Sequence, residues 1–182
     1  NVWWVIDYNR QRLDAVTSDR MFTRYGDIFS TTGWDVITLK YGKKLEAAFA
    51  RPGGERLEAW SAKCPNQRYS ALACEGGAAW RGNLLEAFEG DTQVRAILDP
   101  MDDEDLGALM TDLGGHCMET LLEAFASVDT DAPHVFIAYT EKGKRLPFQG
   151  HKDNHAALMN KTQLAAYQAA DAIEAGEEWE PF

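Results

Sequence analysis

The chain opens Val2-Trp3-Trp4-Val5-Ile6-Asp7 and runs on directly as Tyr8-Asn9-Arg10-Gln11-Arg12-Leu13-Asp14. A continuous apolar run of strand length, rich in β-branched and aromatic residues, marks a strand covered on both faces, and such strands belong to parallel sheets. The polar residues after it then fall at the strand's carboxyl end, where open α/β sheets take their ligands. Asn9 and Gln11 are two residues apart, so on an extended backbone their side chains point the same way. Two neutral amide oxygens so placed can face one hard cation such as magnesium, which prefers oxygen ligands and commonly shares them with a bound phosphate. A polar turn after a strand is the plainer reading of the same residues.

Two further runs match the first, Val36 to Lys40 and Val135 to Tyr139. Between the strands lie segments with apolar residues at helical spacing: Met21, Tyr25, Ile28 and Phe29; Leu106, Leu109, Met110 and Leu113; Met118, Leu121, Leu122 and Phe125. Strand and helix alternate, which predicts an α/β fold with a mostly parallel sheet flanked by helices. Gly33 stops the first helix, and Asp102, Asp103, Glu104 and Asp105 sit where a helix N-terminus favours negative charge. Four neighbouring acids on a first turn fan around the axis and do not converge on an ion. The stretch from Arg51 to Asp99 shows helical patches at Leu57 to Trp60 and Leu84 to Phe88, broken by Gly53, Gly54, Gly76 and Gly77. It reads as a helical insertion at about 51–99 within a single domain spanning 1–182.

Of the 182 residues, 45% are hydrophobic and 26% charged, proportions that suit a folded core and not a disordered chain. Asp and Glu number 29 against 18 Lys and Arg, and the net charge of -11 has the wrong sign for neutralising phosphate backbones or anionic lipid. No apolar run approaches the ~20 residues that span a bilayer. Cys64, Cys74 and Cys117 form no CxxC pair and leave one thiol over, which argues against a disulfide framework and suits a reducing cytoplasm. A buried strand that starts beside Asn1, with no lead-in, reads as part of a longer polypeptide.

A second polar cluster follows the third strand: Thr140, Glu141, Lys142 and Gly143, then Gln149, Gly150, His151, Lys152, Asp153, Asn154 and His155. Such a loop offers an acid or base near neutral pH and positive charge for an anionic ligand. Zinc is disfavoured, because His151 and His155 lack further ligands and no HExxH pattern is present. Gly114, Gly115 and His116 join two helical segments and read as a C-cap and turn, with His116 either facing the cleft or filling the turn. Cys117 reads as a packing residue, and His134, beside Pro133 at a strand entrance, needs no functional role.

In this order these stretches resemble thiamine-diphosphate enzymes of the transketolase superfamily, most closely the homodimeric E1 components of pyruvate dehydrogenase. Asn9-Arg10-Gln11-Arg12-Leu13-Asp14 is similar to that family's Asn-Leu-Gln-Arg-Leu-Asp segment, and Gly33-Trp34-Asp35-Val36-Ile37 to its next strand entry. Gly114-Gly115-His116 resembles its Gly-Gly-His turn, and Thr140 to His155 its active-site loop. The resemblance implies the latter part of a thiamine-diphosphate-binding domain, with thiamine diphosphate and magnesium as cofactors. It implies that Asn9 and Gln11 contact the magnesium and the cofactor's diphosphate, that Lys142 lines the substrate end, and that His155 passes the acyl group to a lipoyl arm. It further implies decarboxylation of a 2-oxo acid, pyruvate above all, in a homodimer partnered by a lipoyl-bearing E2 acyltransferase.

The pattern departs in places. Glu141 stands where the family usually has isoleucine, Lys144 and Arg145 interrupt its Gly-aromatic-Gly loop, and Cys117 replaces an aspartate. The family's upstream Gly-Asp-Gly motif and its downstream activating glutamate are not in these 182 residues, so the isolated chain is expected to be inactive. Ketol transfer between sugar phosphates, as in transketolase proper, and a non-catalytic docking module are the alternative functions.

Overall fold

In the computed structural model, which describes residues 2–10, 21–151, 153–174 and 176–178, the three apolar runs form one parallel sheet. Its strands are β1 (Trp3–Tyr8), β2 (Asp35–Leu39) and β3 (His134–Tyr139), arranged β1-β3-β2. Both outer strands start level with the central one, since Trp3 and Asp35 each lie opposite His134. That shared register brings all three carboxyl ends to one rim.

Every residue of β3 is buried. The outer strands differ from the sequence expectation of double cover. In β1, Trp3 is 48% exposed, Trp4 55% and Val5 49%. A central strand receives neighbours on both edges and layers on both faces, whereas β1 gets partial cover. Trp3 stacks on Phe125 and meets Phe136 at a tilt, and Trp4 meets Phe29 and Trp34 edge-on or tilted.

The helices are α1 (Met21–Thr31), α2 (Lys43–Phe49), α3 (Gly54–Lys63), α4 (Asn66–Glu75), α5 (Gly77–Ala87), α6 (Thr92–Leu98), α7 (Asp103–Met110), α8 (Met118–Ala126) and α9 (Lys161–Ala170). The stretch 51–99 is helical, and its side chains are central to the molecule. Leu57, Trp80, Leu84, Val94, Ile97 and Leu98 are fully or almost fully buried, in the same cluster as Val135 and Ile137 of β3 and Leu106 and Met110 of α7. On the other face, Leu39, Phe136 and Ala138 pack on Ala124, with Leu121 and Phe125 beside them. Helix α8 thus turns the 121/124/125 row to the sheet. Met118 and Leu122 belong to the next row round the helix and face outward, at 66% and 59% exposure.

Asp102 caps α7 by accepting from the Asp105 N–H at 2.8 Å, and Asp103, Glu104 and Asp105 fill the first turn, as a helix start requires. Among the described residues no group of three or more His, Cys, Asp or Glu side chains is placed to hold a metal. Nor is any described helix long and apolar enough to cross a membrane.

Candidate functional site

Four segments meet at the rim where the strands end. Past β1 come Asn9 and Arg10, past β2 come Lys40 and Tyr41, and past β3 come Thr140, Glu141 and Lys142. The fourth is the one-turn 3-10 helix Gly114–His116, tied in by the Gly114 N–H donating to the Lys40 carbonyl at 3.2 Å and by a bridge between Tyr41 and Leu113. Neither Gly114 nor Gly115 has a positive φ. Their need for glycine is spatial. A Cβ on Gly114 would lie 2.6 Å from the Leu39 carbonyl group, and one on Gly115 would lie 2.5 Å from Thr140 Cγ2 and 2.7 Å from the Tyr139 oxygen. The expected C-cap is therefore a close approach of backbone to the strand ends.

Strands β1 and β3 stay linked beyond their last pair. The Thr140 N–H donates to the Tyr8 carbonyl at 3.1 Å, and the Thr140 hydroxyl donates to the Asp7 carboxylate. Asn9 Nδ2 donates to the other Asp7 oxygen at 3.4 Å, which turns the amide oxygen, the atom a hard cation takes, to the far side of the amide. Asp7, Asn9 and Thr140 are thus a contiguous set of oxygen-bearing side chains. Gln11 lies outside the described residues.

The loop after β3 folds back on its own start. The Lys142 carbonyl accepts from the Gly150 N–H at 3.2 Å and from Asn154 Nδ2 at 2.6 Å, so the exposed His155 is carried back beside half-buried Lys142. Lys142 and His155 therefore share one loop, joined to Asn9 through Thr140 and Asp7. His151 turns to the local backbone instead, its Nδ1 accepting from the Asp153 N–H at 3.1 Å. His134 lies at the opposite end of the sheet, buried, with Nδ1 2.7 Å from the Ala132 oxygen.

Three more residues matter at the rim: His116, which the sequence left between cleft and turn, Glu141 of the polar loop, and Arg10, to which sequence reading gave no role. His116 Nε2 accepts from the Glu141 N–H at 2.7 Å, which places its proton on Nδ1. Burial and the nearby Lys144 charge hold its pKa below the usual histidine value, so a neutral imidazole stands at the rim. Glu141 is 5% exposed, with one oxygen accepting from Gln149 Nε2 at 2.5 Å and Oε1 without a hydrogen-bond partner among the described residues. Arg10 is 7% exposed, takes a left-handed φ of 62°, and lays its guanidinium 3.8 Å from the Tyr69 ring centroid. The signal available for both buried charges was that each replaces an aliphatic residue of the resembling pattern.

Burial pushes the Glu141 pKa up, against the pull of Lys144. The folded chain therefore holds this proton at pH values where the unfolded chain has released it, and stability falls as pH rises from the ordinary glutamate value through the raised one. The Glu141→Gln variant lacks this slope. Thermal melts across pH 4 to 8 are expected to show E141Q and the parent alike at the acid end and E141Q melting higher at the alkaline end. Parallel curves would refute the assignment.

A parallel sheet packed between helices, with oxygen donors and a histidine-bearing loop at its carboxyl rim, is an α/β architecture with its candidate site where such sheets take ligands. No family model matches the chain. It is, however, 26% identical over 170 residues to a pyruvate dehydrogenase E1 component of Cupriavidus necator, which takes in 91% of this chain and 18% of that protein. To the pyruvate dehydrogenase E1 component of Haemophilus influenzae it is 25% identical over 150 residues, 81% of this chain and 16% of the relative. The chain thus spans less than a fifth of the length of these curated relatives.

Proposed function

We propose that this chain is part of the cofactor-binding region of a thiamine-diphosphate-dependent pyruvate dehydrogenase E1 component. The observation that carries the proposal is the junction of Asp7, Asn9 and Thr140 with the loop that bears Lys142 and His155. The donor chemistry fits the implied metal, because carboxamide, carboxylate and hydroxyl oxygens are the hard ligands that magnesium takes alongside a phosphate. Gly114 and Gly115 add a stretch of bare backbone where any side chain would intrude on the strand ends.

When bound, thiamine diphosphate supplies the electron sink for decarboxylating a 2-oxo acid. Asn9 would hold the magnesium that serves its diphosphate, a role the resemblance also assigns to Gln11. Lys142 offers a positive charge to the substrate carboxylate, and the loop closure at Asn154 fixes that lysine relative to His155. His155, exposed at the loop's end, exchanges a proton with the incoming lipoyl arm of an E2 acyltransferase. His116 presents a neutral Nδ1–H donor at the same rim. The homodimer and a cytoplasmic location belong to the same reading.

In the full-length enzyme, Asn9→Ala is expected to weaken magnesium-dependent cofactor binding at least tenfold by titration calorimetry, the order seen when a metal ligand shell is disturbed. Unchanged affinity overturns the metal assignment. Turnover of a ketose phosphate in place of pyruvate would assign the chain to ketol transfer instead.

A further inference from the structure

Behind the rim lies a separate internal cavity, lined by Arg10, Tyr41, Leu45, Trp60, Ser61, Tyr69, Met110 and Leu113. Its free volume, about 10 Å³, matches a single small occupant. Three of its lining atoms are buried without a hydrogen-bond partner among the described residues: Arg10 Nη1, the Tyr41 hydroxyl and the Ser61 hydroxyl. They come from three parts of the chain, the turn after β1, the end of β2 and helix α3, so their meeting is a product of the fold.

Each of the three carries a hydrogen to donate, and the rest of the lining is apolar or aromatic. A buried donor left unpaired is costly, and a buried charge without a partner more so. Arg10 forms no ion pair among the described residues. Glu58 acts on Lys40 and Tyr41 together with Arg10, and at Glu141 burial, the larger effect, favours the neutral form against the pull of the Lys144 and Arg10 charges. Lys40 has its pKa lowered by burial and by the Arg10 charge, as expected where positive potential is in excess. One water can accept from Arg10 Nη1 and give its hydrogens to the two hydroxyl oxygens, but it leaves the buried guanidinium charge uncompensated. A monovalent anion accepts from all three and neutralises the guanidinium as well.

We propose that the cavity formed by Arg10, Tyr41 and Ser61 binds a single chloride ion, which ties the turn after β1 to helix α3. The ion would hold Arg10 in its left-handed conformation, a state disfavoured for a side chain of this size, and so would fix the backbone next to Asn9. This inference is independent of the function proposed above.

The 182-residue chain is to be melted in sodium chloride, bromide and gluconate at equal ionic strength, and crystals are to be soaked in bromide. Halide at ten times its dissociation constant is expected to raise Tm by about 3–6 °C over gluconate. Anomalous density is expected in contact with Arg10 Nη1, the Tyr41 hydroxyl and the Ser61 hydroxyl. Arg10→Leu is expected to abolish the halide effect and Tyr41→Phe to weaken it. Equal melting in gluconate and chloride, a cavity peak without anomalous signal, or a halide effect that survives both substitutions would each overturn the proposal.

Discussion

Replacing Gly77 with alanine is expected to lower stability by roughly 3 kcal/mol and Tm by about 6–12 °C, the upper range for an overpacked core. Gly77 begins α5 and lies against the first turn of α7, where a Cβ would drive into the Asp103 carbonyl. The obstacle is helix backbone, so no side-chain rotation relieves it. From the other side a Cβ on Gly107 would sit 3.3 Å from Gly77 Cα, which shows how nearly the two helices touch. Helix α5 also carries Trp80 and Leu84, both fully buried, so displacing it loosens the core beneath the rim. Gly82 is the matched control. It lies in the same helix with nothing within 4 Å of its Cβ position, and Gly82→Ala is expected to stabilise by about 0.5–1 kcal/mol. Chemical denaturation of the two variants should move in opposite directions, and a G77A protein as stable as its parent would show that the α5–α7 contact is not the constraint described.

The second large effect concerns chemistry. His155→Ala in the full-length enzyme is expected to reduce acyl transfer to a lipoyl domain by roughly 10²–10⁴-fold, the usual weight of a positioned proton carrier. Decarboxylation measured with a soluble oxidant should change little, because His155 is exposed to an incoming arm while Lys142 beside it is half-buried. Equal loss in both assays would place His155 in the decarboxylation step, and loss in neither would remove it from the site. Stopped-time assays with pyruvate, run with and without the lipoyl acceptor, separate these results.

Parts of this arrangement are legible without coordinates. The apolar runs at Val2, Val36 and Val135 mark all three strands to within a residue or two, and the acidic run at Asp102 marks a helix start. The resemblance of the Asn9, Gly114 and Thr140 segments orders them as parts of one site before any distance is known. Other features were not legible. The strand order β1-β3-β2 joins segments more than 90 residues apart, and nothing in an apolar run says whether its strand will be central. Hence Trp3 and Trp4, large aromatic side chains in an apolar run like that of Phe136, end about half exposed.

Glu141 and Arg10 make the same point with charge. By type they belong on a surface, yet both are buried, one under its own loop against Gln149 and the other over Tyr69. Gly114 and Gly115 suggest a turn because glycine's freedom is a local property, but the need they meet is the nearness of Leu39 and Tyr139.

Residue order alone therefore marks the three strands and the helices α1, α7 and α8, since periodicity, propensity and capping act over a few neighbouring positions, while α2, α4, α6 and α9 went unmarked. Which strand is enclosed, which charges are withdrawn from water and which glycines are indispensable were decided only when distant segments packed together, because burial and close contact are properties of pairs that the linear chain does not bring near.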